Sequence, residues 1–171
     1  MLAESSSKHF YEPAKGHGLA HDPLNAIIGP RPIGWISSSG KDGTINLAPY
    51  SFFNAFSYTP PIIGFSSIGE KVSLRNARET GQFVWNRVTR ELAAKMNETC
   101  AFVPYGVNEF ELAGLKMSAS NIVASPCVAE SQVNFECKVT ERFAFRMISK
   151  WHELGYPSTA PRTRDAEYHQ R

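Results

Sequence analysis

The sequence predicts a mainly β domain: an antiparallel barrel, closed or nearly closed, with short helices as decorations. Three observations lead there. A β-branched run, a turn cluster holding Asp42-Gly43 and a second β-branched run form a hairpin signature, because Asp-Gly supplies the positive-φ positions of a tight turn. Residues 133–147 alternate, with Val133, Phe135, Cys137, Val139, Phe143, Phe145 and Met147 on one parity and Asn134, Glu136, Lys138, Thr140, Arg142 and Arg146 on the other. The helical signals between the strands are all short, which suits decoration of a sheet better than regular βαβ alternation.

In chain order, residues 1–24 are polar, contain Pro13, Gly16, Gly18 and Pro23, and read as an irregular lead-in. Strands are expected at about residues 33–38 and 44–48, then in PPIIGFSS (60–67). Pro60 and Pro61 stand at the entrance of that third strand, where a missing N–H does least harm. SLRNARETG reads as a short helix with Ser73 as its N-cap, Leu74 and Ala77 on one face and Gly81 as its terminator. QFVWNRV follows as a strand, and TRELAAKM as a helix capped by Thr89 with Leu92 and Met96 one turn apart. In NEFELAGL, Asn108 and Glu111 have capping-box spacing, and the carboxylates Glu109 and Glu111 read as a solvated helix face. Glu141 interrupts the apolar row of the last strand, so a bulge or a junction of two strands is expected there. The domain is placed at residues 25–148, and residues 149–171 are expected to form a loosely ordered tail.

Composition excludes several classes. With 171 residues, 42% hydrophobic and 20% charged, the chain can bury a core without disulfides. Its 18 Lys+Arg against 16 Asp+Glu give a formal charge of +2, no ground for binding nucleic acid or an acidic membrane. Cys100, Cys127 and Cys137 form no C-x-x-C pair and read as reduced structural thiols. The first residues lack a signal-peptide pattern and no run reaches the ~18 apolar residues of a membrane span, so a cytoplasmic, soluble protein is expected.

The chemistry is concentrated in residues 46–67, NLAPYSFFNAFSYTPPIIGFSS, where aromatic rings alternate with hydroxyls and amides. An ordinary buried strand avoids that mixture, because unpaired polar groups are costly inside. In SSIGEKVSLRN, Ser66 and Ser67 end a strand, a helix begins near Ser73, and Lys71 and Arg75 lie close by. Hydroxyls, cations and a helix N-terminus together fit a phosphate monoester; the plain alternative is a capped surface helix. Upstream, the rings of APYSFFN suit a flat heterocycle, and Ser51, Asn54 and backbone amides suit its polar edge. A flat ring plus a phosphate describes a mononucleotide cofactor. Rival signals are weak. Gly16-x-Gly18 follows no strand and has His21 at the third glycine position, His17 and His21 lack a third metal ligand, and no G-x-S-x-G elbow occurs.

The runs RPIGWISSSGKDGTINLAPYSFFNAFSYTPPIIGFSS, KVSLRNARETGQFVWNRVT and GVNEFELAGL resemble the flavin reductase-like, FMN-binding split-barrel family from about residue 17 to residue 140. The resemblance implies an FMN-binding split barrel of Greek-key type, a homodimer, one FMN per subunit and hydride transfer from NADH or NADPH to the flavin. It implies that Asn46, Ala48, Tyr50, Ser51 and Phe52 line the isoalloxazine ring. Ser66, Ser67, Lys71 and Ser73 would receive the phosphate, and Arg31 and Trp35 would close the pocket. No protein nucleophile is required, because the flavin carries the redox chemistry. Lys71-Val72-Ser73 stands where relatives carry Lys-Asp-Thr, and the residues after the ECKV strand depart from the family pattern. The alternative reading is a divergent or truncated split barrel that holds FMN weakly or not at all and does not turn over.

Overall fold

The computed structural model describes residues 9–12, 15–144 and the backbone of residues 169–170. The chain divides into two units, residues 1–30 with 145–159 and residues 31–144 with 160–171. The described part of the first unit holds one helical turn, α1 (Leu24–Ile27). The expected loose tail, 149–171, lies outside the described residues except for the backbone of 169–170.

The second unit is built on β1 (Gly34–Ser39), β2 (Ile45–Tyr50), β3 (Phe53–Ser57), β4 (Ile62–Phe65), β5 (Gln82–Asn86), β8 (Asn134–Glu141) and β9 (His169–Gln170). These strands form one sheet in the order β2-β1-β5-β8-β9-β4-β3, antiparallel at every pairing. A small ribbon pairs β6 (Met117–Ser118) with β7 (Cys127–Val128). The helices are α2 (Val72–Thr80), α3 (Ala93–Glu98) and α4 (Glu109–Leu112). The two edge strands of the sheet, β2 and β3, are neighbours in sequence, joined only by Ser51 and Phe52.

β1 is buried along its whole length. Trp35 belongs to a core cluster with Leu47, Leu92, Phe110 and Val128, whereas Ile36 belongs to a second one with Tyr50, Phe65, Ala77, Phe83 and Cys137. Burying side chains of this size contributes roughly 1.5–3 kcal/mol each. A strand enclosed on both faces can carry serines only if they are paired. Ser37 Oγ donates to the Pro126 carbonyl and accepts from Asn86 Nδ2, Ser38 Oγ accepts from Asn76 Nδ2, and the Ser39 N–H donates to Ser125 Oγ. Gly34 admits the β3 edge: a Cβ there would lie 2.6 Å from the ring of Phe53, which itself stacks on Trp85.

Several expectations change. A strand, β3, precedes the expected third one; its residues Asn54–Phe56 are exposed, so it carries no buried apolar stripe for a sequence pattern to show. Lys71, not Ser73, occupies the N-cap of α2, and its side chain makes no capping hydrogen bond. Gly81 does terminate α2, at φ 70°. Thr89 caps nothing: residues 89–92 turn first, and α3 begins at Ala93. Asn108 caps α4 as its spacing predicts, accepting from the Phe110 N–H at 3.1 Å and donating to Glu111. Glu109 is not on a solvated face; it is buried. In β8, Cys137 is buried but Phe135 is 46% exposed, so the expected parity holds only in part. The irregularity anticipated at Glu141 is present, as a register shift between Val139 and Glu141. No strand continues through residues 142–144, and residues 145–147 lie outside the described residues.

Candidate functional site

The Ser51–Phe52 link between the edge strands and the start of α2 define the site. The Ser66 N–H donates to the Phe52 carbonyl at 2.8 Å, tying the end of β4 to that link. The Arg31 guanidinium lies 5.2 Å from the centroid of the Phe52 ring. Ser51 and Phe52 are both half-buried.

α2 begins beside this link with Lys71 at its N-cap making no side-chain capping bond, and a helix start is where the dipole favours an anion. Lys71 stands at that end, its ammonium 6.0 Å from the Tyr50 ring centroid. Tyr50 itself is 5% exposed, yet its hydroxyl has no hydrogen-bond partner of good geometry. Burial pushes the Tyr50 phenol above its ordinary pKa, while the nearby hydroxyls of Ser73 and Ser67 pull it back. Ser67 Oγ donates to the Gly69 carbonyl at 2.9 Å, which leaves its oxygen lone pairs available. An unmatched phenol, an ammonium and a helix start without a capping side chain offer donors that fit a phosphate ester, beside two serine hydroxyls whose protons now go to Gly69 and Asn46.

A second cluster adjoins the first. Ser73 Oγ donates to Asn46 Oδ1 at 2.7 Å. Asn46 Nδ2 in turn donates to Glu109 Oε1 at 2.8 Å, and the Leu47 N–H donates to Glu109 Oε2 at 3.0 Å. Asn46, Ser73 and Glu109 are all buried, and each partner satisfies the next. This chain fastens the start of α2 to β2 and to α4.

The geometry therefore brings together Tyr50, Ser67, Lys71 and Ser73, with exposed Ser66 beside Phe52 and with Ser51 and Arg31 at the adjoining link. Ala48 is half-buried against the second core cluster. Two expected pocket residues are placed otherwise. Trp35 has no exposed surface, and its indole N–H donates to Thr99 Oγ1 at 3.0 Å, so it is a core residue and not a lid. Asn46 spends its amide on Ser73 and Glu109, so it supports the site from behind instead of lining it. Glu109 escaped the sequence reading because its partners lie some sixty residues away, and a four-residue helix has too little periodicity to reveal its buried face.

Near Lys71, the Cys100 thiol borders a shallow depression of about 570 Å³ lined by Asn97, Glu98, Ala101 and Leu112. Burial raises its pKa and the Lys71 charge opposes that rise. Among the described residues no group of His, Cys, Asp and Glu is arranged to hold a metal, and no helix is long and apolar enough to cross a membrane.

Known proteins resemble this chain in sequence and fold. The model of the family described as flavin reductase like domain matches residues 29–155. An uncharacterized protein of Aquifex aeolicus is 42% identical over 118 residues, covering 66% of this chain and 60% of that protein. The crystal structure of nitrilotriacetate monooxygenase component B from Bacillus cereus superposes with a TM-score of 0.64 at 30% identity, covering 84% of this chain and 65% of that one. A Shewanella frigidimarina protein with a split barrel domain superposes at 0.62 with 22% identity, covering 67% of this chain and 59% of that one, a likeness of fold. This chain thus spans about three fifths of the length of the curated relatives it matches. Its antiparallel sheet with adjacent edge strands is that of a split barrel, and the chain belongs to the flavin reductase like domain family.

Proposed function

We propose that this chain binds FMN and passes reducing equivalents from NADH or NADPH through it to an acceptor, as a flavin reductase. The observation that carries the reading is the buried Tyr50 hydroxyl, left without a partner beside Ser67, Ser73 and Lys71 at the uncapped start of α2. A buried donor in that state costs stability unless a ligand satisfies it.

In this reading Ser66, Ser67, Lys71 and Ser73 hold the phosphate, Ser67 and Ser73 turning to it the protons that Gly69 and Asn46 now receive, and Tyr50 donates to it or to the adjoining chain of the cofactor. The half-buried Ser51–Phe52 link offers backbone N–H groups to the polar edge of the ring system. Ala48, Tyr50 and Phe52 supply apolar surface, and Arg31 holds the Phe52 ring in place from its other side. Asn46 and Trp35 act behind the site, the first by fixing α2 and the second by filling the core beneath β1. Bound flavin supplies the redox chemistry, accepting a hydride from the nicotinamide and releasing electrons to the acceptor. The residues therefore need only bind, orient and shield.

The edge strand β3 leaves Phe56 61% exposed and, just beyond it, Tyr58 95% exposed. Exposed apolar rings of this kind favour association with a second copy, and the homodimer is part of the proposal. The purified chain should oxidise NADH or NADPH only when FMN is supplied or already bound, followed by loss of the nicotinamide absorbance. Absence of both flavin binding and nicotinamide oxidation in folded protein would end the proposal.

A further inference from the structure

A second cleft, of about 260 Å³, opens on the other side of α2 between the β1–β2 turn and Tyr105. Gly40, Lys41, Asp42, Arg75, Asn76, Glu79 and Tyr105 line it. The Arg75 guanidinium carbon lies over the Tyr105 ring, 4.2 Å from its centroid. Tyr105 is locked in that position because its hydroxyl donates to Asp42 Oδ2 and meets Thr44 Oγ1 at 2.8 Å. Asp42 is fully occupied, since it also accepts from the Thr44 N–H and hydroxyl.

Two atoms of the lining residues are left over. Arg75 Nη2 is a buried donor without an acceptor, and Asn76 Oδ1 is a buried acceptor without a donor. Asn76 is 1% exposed, and its Nδ2 is already spent on Ser38 Oγ. The absence of a side chain at Gly40 keeps the floor clear: a Cβ there would lie 3.3 Å from Asn76 Oδ1 and 2.5 Å from Asp42 Oδ1. One leftover atom asks for an acceptor and the other for a donor, within a single cleft beside a planar platform.

We infer that this cleft takes the adenylate end of a dinucleotide. The edge of adenine presents an amino donor next to ring-nitrogen acceptors, the complement of Asn76 Oδ1 and Arg75 Nη2. A base edge bonded by Nη2 lies in the plane of the guanidinium, and the Tyr105 ring holds that guanidinium in position. Lys41 is exposed at the cleft and stands ready for the phosphate. Arg75 follows Lys71 by one helical turn, roughly 6 Å along α2, a step that a pyrophosphate can bridge. The placement of the other half of the dinucleotide at Lys71 rests on the proposed function; the adenylate site itself does not.

Calorimetry with 5′-AMP alone tests the cleft without any flavin. Binding with a Kd of about 1 mM or tighter is expected, together with weaker binding of 5′-UMP, which shares the phosphate but not the purine edge. Tyr105→Ala and Arg75→Gln should each weaken 5′-AMP by about fivefold or more, as loss of a stacked cation requires. Tyr105 is 52% exposed, so its variant should remain folded, which a thermal melt checks. Two further titrations in wild type and Tyr105→Ala identify the source of the adenylate. Weakening confined to FAD, with FMN unchanged, assigns the cleft to a dinucleotide flavin; weakening confined to NADH or NADPH assigns it to the nicotinamide substrate. No 5′-AMP binding to the wild type, equal binding of 5′-UMP, or variants that bind 5′-AMP as the wild type does would overturn the inference. Failure to bind FMN while 5′-AMP still binds would instead end the flavin proposal and leave this cleft standing.

Discussion

The two polar clusters at the start of α2 sit within a few residues of each other and differ in how completely their atoms are paired. In the Asn46–Ser73–Glu109 cluster every buried group has a partner, and the result is a brace between β2, α2 and α4. In the Tyr50–Ser67–Lys71 cluster a buried hydroxyl is unmatched, a helix end is uncapped, and a cation stands beside them. On the proposed function, completeness of pairing separates the brace from the ligand site, where a bound cofactor would satisfy the open groups.

The comparison breaks most readily at Glu109. Glu109→Ala strips the acceptor from two buried donors, Asn46 Nδ2 and the Leu47 N–H, and should cost about 3 kcal/mol in urea unfolding. Ser73 belongs to both clusters, so Ser73→Ala should show both faults: about 1–2 kcal/mol of lost stability from the abandoned Asn46 oxygen, and weaker FMN binding. An effect on stability alone would place Ser73 wholly in the brace. Tyr50→Phe sharpens the contrast by a change of sign. Removing an unmatched buried hydroxyl should leave the flavin-free protein as stable or up to about 1 kcal/mol more stable, while FMN affinity falls severalfold. A clear destabilisation would mean that the hydroxyl already has a partner.

The smallest effect concerns the adenylate cleft. The Asp42 carboxyl is held at a pKa of about 2, below its ordinary 3.8, first by the Tyr105 hydroxyl and then by the Thr44 hydroxyl and N–H. Its folded pKa is depressed, so the contribution is full above about pH 4 and is lost as pH falls through about 2. A Tyr105 ring resonance that shifts in that window, and ceases to do so in Asp42→Asn, is the expected NMR result.

Much of the fold was legible because local rules governed it. The Asp42-Gly43 hairpin, the Gly81 stop, the Asn108 cap and the interruption at Glu141 each follow from backbone preferences within a few residues. What was hidden depended on distant partners. Trp35 reads as a pocket residue in its motif, yet its indole finds Thr99 across 64 residues of sequence and is sealed in the core. Ser37–Ser39 sit inside a buried strand because Asn76, Asn86 and the Ser125–Pro126 segment pair with them. For the site, the types of residue were visible and their division of labour was not. Hydroxyls and amides among rings announce a polar ligand, but only coordinates distinguish Asn46, whose amide is spent, from Tyr50, whose hydroxyl is not. Arg75, Asn76 and Tyr105 carried no signal of a shared cleft, since α2 and the 104–106 turn come together only in the fold.

One titration reaches the centre of the account. Flavin fluorescence should be quenched by the wild-type protein far more tightly with FMN than with riboflavin, and Lys71→Met should erase about a tenfold share of that difference while leaving riboflavin binding and the melting temperature unchanged. Riboflavin binding as tightly as FMN, or Lys71→Met retaining the full preference for FMN, would contradict it.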